Sequence, residues 1–414
     1  ASANGADNAS NAEHSDDMPT VPIPARKVVT TFDAASRHER LEVKPPLTRL
    51  FRRTITKAFS VWLKFSTALV RSLDWYPRVE PYVGYGTEHY SRLICRTVYG
   101  PFKRQAGRLI RGIRGMLMVP SPHTKVRIAI DDVPIETVQV GASEVYDAID
   151  SNPDISSEFA ASDDAGYLDL VAEHSLEPGI HNVSYKVRSR KPVNANLFTI
   201  PSGTKVGVIS DVDDTIMVTQ APRLMKAAYN LLLLNPRKKV PVASMNLLFN
   251  RIADMFTDAP FFYLSTSPWN VESSIRHFIT NHGFPEGPLL LRDLDPRPKT
   301  FIPSGVQHKL EYAEQLMADF PDMKFILIGD DGQKDPTTYA TIARRYPGRV
   351  LAIGIRQLSP REVTGNFGSV AGRVATQPMP VTDVPVFTGT TGSNIMKTML
   401  PYLRATQAAD GETD

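Results

Sequence analysis

The sequence predicts a β-sandwich-like domain over residues 81–204, followed by a three-layer α/β domain with a mainly parallel, Rossmann-like sheet over residues 205–400. Short β-rich runs separated by turn-like clusters predict the first domain. Near-continuous apolar strands that alternate with amphipathic helices predict the second, because strands covered by helices on both faces are apolar throughout. The remaining segments are predicted as a disordered N-terminal segment (1–46), a basic helical segment (47–80) and a C-terminal tail (401–414).

The composition is that of a globular protein and excludes several kinds of site. The chain has 414 residues, of which 42% are hydrophobic and 22% charged, so it can bury sizeable cores. A net charge of +3 is too small to indicate a nucleic-acid partner, and we expect none. The single cysteine, Cys95, excludes an intramolecular disulfide and a cysteine-based zinc site, which suits a reducing compartment.

The N-terminal stretch ASANGADNASNAEHSDDMPTVP is small, polar and acidic, and it lacks the pattern of a signal peptide. No run of about 18 apolar residues occurs along the chain, so we expect no transmembrane helix. These features predict a cytoplasmic protein that meets membranes only as a peripheral protein.

The segment 47–75 has the pattern of a basic amphipathic helix. The apolar positions at helical spacing are Leu47, Leu50, Phe51, Ile55, Phe59, Trp62, Phe65, Leu69 and Leu73. Arginine and lysine residues occupy much of the remainder. One interpretation is a helix packed on the protein's own core, and the other is an interfacial helix attracted to an anionic membrane surface.

Polar and charged residues follow the apolar strands of the second domain. DVDDT at 211–215 follows the strand VGVIS, STSPW at 265–269 follows FFYL, and GDDGQKD at 329–335 ends the strand KFILIG. The helix before KFILIG begins near HK at 308–309. Because ligands of parallel sheets bind at the carboxyl ends of the strands, these groups are expected to converge on one site.

Clustered carboxylates raise one another's pKa, and a hard divalent cation compensates their charge. Mg²⁺ prefers oxygen ligands and binds through one or two carboxylates together with a substrate phosphate. A carboxylate can also attack phosphorus, a second one two residues along can transfer protons, and a lysine and a hydroxyl can hold phosphoryl oxygens. The pattern therefore predicts metal-assisted phosphoryl transfer.

A calcium loop is the main structural alternative, since Asp-x-Asp-x-Thr resembles its start. Ile216 stands where such a loop needs glycine at its sixth position, and Pro222 stands where it needs glutamate at its twelfth. A phospho-acceptor receiver domain also gathers aspartates at strand ends, but the order of residues and the length of this domain do not suit it.

These motifs resemble those of the haloacid-dehalogenase (HAD) superfamily of phosphotransferases. DVDDT at 211–215 is similar to its first motif, Ser265 to its second, Lys309 to its third, and Gly329-Asp330 through Asp335 to its fourth. The resemblance implies a HAD-like fold for the catalytic domain.

A narrower resemblance points to the actin-patch-associated phosphatidate phosphatases and their bacterial relatives. It rests on the strings DVDDTI, YLSTSPW, HK and ILIGDDGQKDP followed by IGIRQ, and on GYGT at 84–87. This chain has Thr266 where that family often has asparagine, and Asp331 where it often has serine. The second departure places additional negative charge beside the expected metal.

The resemblance implies a role for each matching residue. Asp211 would be the nucleophile and Asp213 the general acid and base, with Ser265 and Lys309 binding the transferred phosphoryl group. The implied Mg²⁺ ligands are Asp211, Asp213 through its backbone carbonyl, and Asp330, with Asp335 orienting a ligand or water. Thr215, Thr266 and Lys309 are the implied substrate-binding residues.

Several residues have alternatives. Lys299 is the fallback for the role of Lys309, because a proline-rich segment separates Lys309 from the second motif. His277 and His308 are interpreted as structural helix residues. Lys334 and Arg356 lie in matching strings without an assigned role, and each is interpreted as forming a salt bridge at the rim of the site.

The phosphate motifs leave the substrate open. The segment 222–240, PRLMKAAYNLLLLNPRKKV, has two interpretations. It is either a buried helix with a charged C-terminal end or a cap over the active site that offers apolar surface to acyl chains. Three hypotheses follow: a Mg²⁺-dependent phosphatidate phosphatase that releases diacylglycerol through an aspartyl-phosphate, a phosphatase of a soluble phosphomonoester or phosphoprotein, and a non-catalytic binding module. The β-rich domain has no catalytic pattern, and its role is open.

Overall fold

The computed structural model describes residues 61, 65–66, 68–70, 72, 75–100, 119–135, 137–140, 159–161, 166–187, 190–218, 240–292, 305–359 and 376–411. The predicted disordered segment (1–46), most of the predicted basic helix, the proposed cap at 222–239 and Lys299 lie outside the described residues. No helix in the described ranges is long and apolar enough to cross a membrane.

The β-rich region forms one hydrogen-bonded sheet of ten strands. The strands are β1 (Tyr76–Pro81), β2 (Gly84–Gly86), β3 (Tyr90–Gly100), β4 (Lys125–Ile130), β5 (Val133–Pro134), β6 (Thr137–Val140), β7 (Phe159–Ala161), β8 (Tyr167–Glu173), β9 (Gly179–Lys186) and β10 (Val193–Thr199). Their order is β5-β4-β9-β10-β2-β3-β8-β6, with β1 beside β3 and β7 beside β4. The described pairs are antiparallel except β2 with β10, which is parallel.

An apolar core lies within this region. It contains Leu93 of β3, Ile128 of β4, Leu168 of β8 and Leu197 of β10, each nearly or fully buried. Consecutive residues in β4 alternate between exposed or half-buried and buried, as expected for a strand with one buried face. A sandwich-like packing of the two halves of the sheet stays a prediction.

A second sheet has six strands, and all its described pairs are parallel. The strands are β11 (Val206–Asp211), β14 (Phe261–Pro268), β15 (Leu289–Arg292), β16 (Lys324–Asp330), β17 (Val350–Arg356) and β18 (Val386–Gly389). Their order is β15-β14-β11-β16-β17-β18. A small antiparallel hairpin of β12 (Met217–Val218) and β13 (Val240–Pro241) follows β11.

Helices cover both faces of the parallel sheet. The helices are α1 (Met245–Met255), α2 (Glu272–Asn281), α3 (Gly305–Asp319), α4 (Asp335–Arg345) and α5 (Gly392–Gly411). One core joins Val208, Tyr263 and Ile326 of the strands to α1, α2 and α5, and the other joins Ile209 and Leu327 to α3 and α4. Consecutive strand residues thus enter opposite cores, which explains why these strands are apolar throughout. The assignment of this architecture to the HAD-like fold stays a proposal.

The last helix extends further along the chain than the sequence analysis placed it. α5 ends at Gly411, beyond the predicted start of the tail at residue 401, and Leu403 within it is fully buried. Leu400 and Leu403 lie three residues apart, so they continue the buried face of the helix past Pro401.

Candidate active site

The carboxyl ends of β14, β11 and β16 meet at one edge of the parallel sheet because these strands are neighbours. Asp211 ends β11, Asp330 ends β16, and Ser265 lies in the last half of β14. The sheet topology alone therefore brings three of the predicted site residues to one edge. Lys309 of α3 and Asp335 of α4 reach the same place from the helices behind the sheet.

Three carboxylates form a compact buried cluster. One oxygen from each of Asp211, Asp330 and Asp335 lies within 4.8 Å of the others. The Lys309 ammonium lies 2.7 Å from Oδ1 of Asp211 and also contacts Oδ1 of Asp335. All four side chains are at most 3% exposed, so water does little to screen these charges.

Burial and neighbouring charges shift the pKa values of Asp211, Asp330 and Lys309 in this cluster. Burial is the main cause that raises the pKa of Asp211 to about 7; the charges of Asp335 and Asp213 act in the same direction, and Lys309 opposes them. Burial, with Asp335 and Asp211, raises the pKa of Asp330 well above its ordinary value. Burial lowers the pKa of Lys309, but Asp211 and Asp335 outweigh it and raise that pKa above its usual range, so Lys309 stays an ammonium.

Asp213 is held by the hydroxyls of two serines. Ser265 Oγ donates to Asp213 Oδ2 at 3.0 Å, and Ser267 Oγ donates to the same oxygen at 3.1 Å. The backbone N–H of Ser267 donates in turn to Ser265 Oγ at 3.0 Å. Because side chains two apart in a strand point to the same side, one strand end supplies both hydroxyls. Thr266 lies between them and is half-buried.

The loop after Asp211 turns back sharply. Asp214 has φ 63°, a left-handed conformation that aspartate tolerates better than most residues, and its N–H donates to the carbonyl of Met217 at 2.8 Å. Thr215 Oγ1 donates to Asp211 Oδ2 at 3.3 Å. The buried guanidinium of Arg356 donates from Nη1 to the carbonyl of Asp214 at 2.7 Å. Arg356 therefore fixes the backbone of the first motif, and the salt bridge suggested by the sequence stays a prediction.

The loop after β16 carries the second group of aspartates. The N–H of Gly332 donates to Asp330 Oδ1 at 2.7 Å, and a Cβ at this glycine would lie 2.2 Å from a side-chain carbon of Leu358. Gln333 Nε2 donates to the carbonyl of Asp213 at 3.0 Å and to Asp330 Oδ2 at 3.4 Å. Asp331 Oδ1 accepts a bond from the N–H of Leu358 at 2.8 Å, so its carboxylate also orders the neighbouring loop.

The two histidines and Lys334 occupy distinct positions. His308 is buried with Nε2 3.1 Å from the carbonyl of Ser265, whereas His277 is exposed on α2. The carbonyl of Lys334 accepts a bond from Thr338 Oγ1 at 2.8 Å at the start of α4.

Sequence reasoning overlooked two residues that shape this site. Ser267 follows Ser265 at the two-residue spacing of a strand, and that spacing was a usable signal. Gln333 links the first and fourth motifs through Asp213 and Asp330. No sequence signal pointed to Gln333, because its partner Asp213 is distant in the chain.

The donor chemistry of the cluster fits a hard divalent cation. Asp211, Asp213, Asp330 and Asp335 supply four carboxylates at this edge of the sheet, and the Lys309 ammonium contacts two of them, Asp211 and Asp335. All the donors are oxygens, which Mg²⁺ and similar ions prefer. Asp211, Asp330 and Asp335 are the residues placed to hold such an ion.

Residues 206–357, which contain all of these groups, match the family model described as "Phosphatidate phosphatase APP1, catalytic domain". This region is similar to the APP1 catalytic domain. The resemblance predicted from the motifs is thereby confirmed for this part of the chain.

Two curated fungal proteins show the same similarity. "Phosphatidate phosphatase APP1" of Saccharomyces cerevisiae is 29% identical over 208 residues, which are 49% of this chain and 35% of the yeast protein. "Uncharacterized protein C29B5.04c" of Schizosaccharomyces pombe is 27% identical over 154 residues, 37% of this chain and 25% of that protein. The alignments thus span about a third or less of each relative.

Among solved structures, the Yersinia pseudotuberculosis adhesin InvE aligns with 30% of this chain and 32% of its own, at 12% identity and a TM-score of 0.17. A score this low supports no statement about the fold or the function of this chain.

Proposed function

We propose that this chain is a Mg²⁺-dependent phosphatidate phosphatase that hydrolyses the phosphomonoester of phosphatidate to diacylglycerol and phosphate. The main observation that supports this proposal is the buried contact of Lys309 with Asp211 and Asp335, next to Asp330. These residues lie within the region similar to the APP1 catalytic domain. A structural loop has no need to bury three carboxylates and a lysine together, because the arrangement costs desolvation energy.

The proposed chemistry has two steps. The Asp211 carboxylate attacks phosphorus, the phosphorus–ester oxygen bond breaks, and Asp213 donates a proton to the departing diacylglycerol oxygen. Water then attacks the phosphorus of the aspartyl-phosphate, Asp213 accepts a proton from that water, and phosphate leaves with Asp211 regenerated. The serine hydroxyls on Asp213 Oδ2 hold this carboxyl group beside the nucleophile.

The remaining residues would bind the phosphoryl group and the ion. In this proposal Lys309, Ser265, Thr215 and Thr266 bind the substrate phosphoryl group. In support, Lys309 and Thr215 contact the proposed nucleophile Asp211, and Ser265 donates to Asp213. When bound at Asp211, Asp330 and Asp335, Mg²⁺ would neutralise charge on the phosphoryl oxygens.

Contact with an anionic membrane surface is part of the proposal. The described helical residues Val61, Phe65 and Leu69 recur every four positions and are 67%, 62% and 48% exposed. On the adjacent side of the helix, Ser66 and Val70 are buried, and Val70 packs against Tyr99 and Val119. One face of the described helix thus packs on the protein, and the exposed apolar residues, in a segment rich in arginine and lysine, support the proposed contact with a membrane surface.

Vesicle sedimentation tests this contact. A Phe65→Ser/Leu69→Ser variant is expected to bind vesicles of phosphatidylcholine and phosphatidate several-fold more weakly than the wild type. Val381→Ser is the matched control, because Val381 is a 96% exposed apolar residue elsewhere. Equal binding by all three proteins would contradict the membrane role of this helix.

Phosphate release from phosphatidate in mixed micelles tests the activity. The assay compares wild type, Asp211→Asn and the exposed-site control Asp258→Asn, each with Mg²⁺ and with EDTA. A soluble phosphomonoester is assayed in parallel. Metal-dependent release by the wild type and the control, absent in Asp211→Asn, is the expected result.

Other outcomes of this assay would favour a phosphatase of a soluble substrate or a non-catalytic binding module. Equal or faster turnover of the soluble compound would keep the chemistry and reject the lipid substrate. No release from either substrate by folded protein would reject the phosphatase proposal and favour a binding module.

A further inference from the structure

The β-rich region contacts the parallel-sheet region through elements that carry active-site residues. Tyr82, between β1 and β2, stacks on Trp269 with ring centroids 4.6 Å apart and an interplanar angle of 22°. Trp269 directly follows β14, the strand that supplies Ser265 and Ser267 to Asp213. Both rings are at most 4% exposed and belong to the core that also contains Val208 of β11. The stack therefore lies at the end of the serine-bearing strand.

A second contact holds the far end of α3, the helix that carries Lys309. Tyr85 Oη donates to Asp319 Oδ2 at 2.9 Å, and Tyr90 Oη donates to the carbonyl of Asp319 at 3.4 Å. Gln315 Nε2, on α3 itself, donates to the other carboxylate oxygen at 2.7 Å. Asp319 is the last residue of α3 and is buried.

The buried Asp319 carboxylate at the end of α3 needs partners that stabilise its charge. A carboxylate at the C-terminal end of a helix is unfavourable, since the macrodipole is negative there. Burial raises the pKa of Asp319 further, and Arg92 of β3 is the main group that lowers it. Arg92 is itself only 2% exposed. The β-rich region thus supplies two tyrosine hydroxyls that donate to Asp319, the buried last residue of α3.

The two glycines of the GYGT string at 84–87 allow β2 to lie close to β3. A Cβ at Gly86 would lie 2.0 Å from the carbonyl oxygen of Tyr90, and one at Gly84 would lie 2.9 Å from the carbonyl oxygen of Arg92. Only glycine therefore allows β2 this close to β3. That approach places the Tyr85 ring in the core beneath α3, where it contacts Phe262 edge-on at 5.6 Å.

We propose that Tyr82 and Tyr85 are positioning residues for the active site, and that the β-rich region is an integral part of the catalytic unit. Tyr82 holds the end of β14, so that both serine hydroxyls stay on Asp213. Tyr85 holds the end of α3, and thereby the helix that places Lys309 on Asp211. This inference rests on the proposed phosphatase function for its kinetic readout.

Substitutions of Tyr82 test the first contact. Its hydroxyl is buried and has no hydrogen-bond partner among the described residues, so the ring stack is the interaction to remove. Tyr82→Ala is expected to lower kcat by about ten- to a hundredfold with KM changed less than about threefold, since small misplacement of reacting groups is costly. Tyr82→Phe keeps the ring and is expected to retain the wild-type kcat. Tyr76→Ala is the matched control, because that ring lies over Arg190 within the β-rich region.

Amide hydrogen exchange gives a readout that does not need activity. In Tyr82→Ala, exchange is expected to accelerate at 265–271 while 350–356 in β17 stays as in the wild type. A wild-type kcat with unchanged exchange would overturn the inference, and so would acceleration in every strand, because that indicates general destabilisation. If the wild type releases no phosphate, the proposed function fails and the exchange pattern alone decides the inference.

Tyr85→Phe keeps the proposal testable if Tyr82→Ala does not fold. This substitution removes only the hydroxyl that donates to Asp319. Faster exchange at 309–319 with a several-fold lower kcat is expected. Unchanged exchange and kcat in Tyr85→Phe would overturn the proposed role of this contact.

Discussion

The ammonium nitrogen of Lys309 lies 2.7 Å from Oδ1 of Asp211, and both side chains are buried. The two residues come from different elements, the fifth residue of α3 and the last residue of β11. The same ammonium also contacts Asp335, so one cation holds two carboxylates that would otherwise repel each other.

Removal of this cation is expected to destabilise the fold. Lys309→Met leaves Asp211 and Asp335 buried without their partner, and breaking a buried ion pair typically costs about 3–5 kcal/mol. Urea denaturation in EDTA would show this loss as a lower midpoint. Lys397→Met, at an exposed position on α5, should leave the midpoint nearly unchanged. A Lys309→Met midpoint equal to that of the wild type would contradict the pairing.

Replacement of Asp330 should stabilise the metal-free protein and weaken its response to metal. Asp335 and Asp211 both raise the pKa of Asp330, so Asp330→Asn removes like-charge repulsion in a buried site. Thermal unfolding in EDTA is expected to show a melting temperature raised by a few degrees. The further rise that Mg²⁺ produces in the wild type should be lost, because one oxygen ligand has lost its charge.

The control for this prediction is Asp258→Asn, which changes the same charge at an exposed position. It should shift neither the melting temperature nor the Mg²⁺ response. A Mg²⁺ response of wild-type size in Asp330→Asn would argue against Asp330 as a ligand.

The two serine hydroxyls on Asp213 are expected to act together. Loss of one hydrogen bond costs about 0.5–1.5 kcal/mol, so Ser267→Ala should lower kcat for phosphatidate by about two- to tenfold. Ser265→Ala should cost at least as much, since Ser265 Oγ also accepts from the N–H of Ser267. Kinetics in mixed micelles measure both, with the exposed Ser273→Ala as the control.

The double variant extends this test. Because the two serines share one acceptor and contact each other, the combined loss should be smaller than the product of the two single losses. Independent effects that multiply would contradict a single serine pair acting on Asp213.

Ionisation of Glu272, at the start of α2, should make the free energy of unfolding depend on pH. Burial raises the pKa of Glu272 to about 7, although Arg276 pairs with it at 3.1 Å and opposes the shift. At pH values between the ordinary glutamate pKa and about 7, Glu272 keeps its proton in the native state but has released it in the unfolded chain. This contribution to stability is therefore lost as pH rises through that window, and it amounts to on the order of 3 kcal/mol.

Urea denaturation at several pH values from 5 to 8 measures this effect. Glu272→Gln stays neutral, so its stability relative to the wild type should increase as pH rises. The exposed Glu173→Gln should run parallel to the wild type at every pH. A wild-type curve parallel to that of Glu272→Gln would show that burial of Glu272 does not have this consequence.

The apolar pattern was sufficient to predict the parallel strands and where their polar ends fall. VGVIS, FFYLS and KFILIG are apolar throughout because each faces two cores, as Val208 and Ile209 show by entering opposite cores. Neighbouring parallel strands share an edge, so residues directly after them, such as Asp211 and Asp330, meet there without further information. The roles of these residues in catalysis stay predictions.

The tertiary structure decided which of these groups contact each other and what supports them. The sequence suggested that Arg356 lies at the rim of the site, and only packing shows that its guanidinium fixes the carbonyl of Asp214. Periodicity describes how a residue relates to its near neighbours in the chain. It carries no information on the stack of Tyr82 with Trp269 or on the hydrogen bond from Tyr85 to Asp319, because those contacts exist only after two separately patterned regions have packed together.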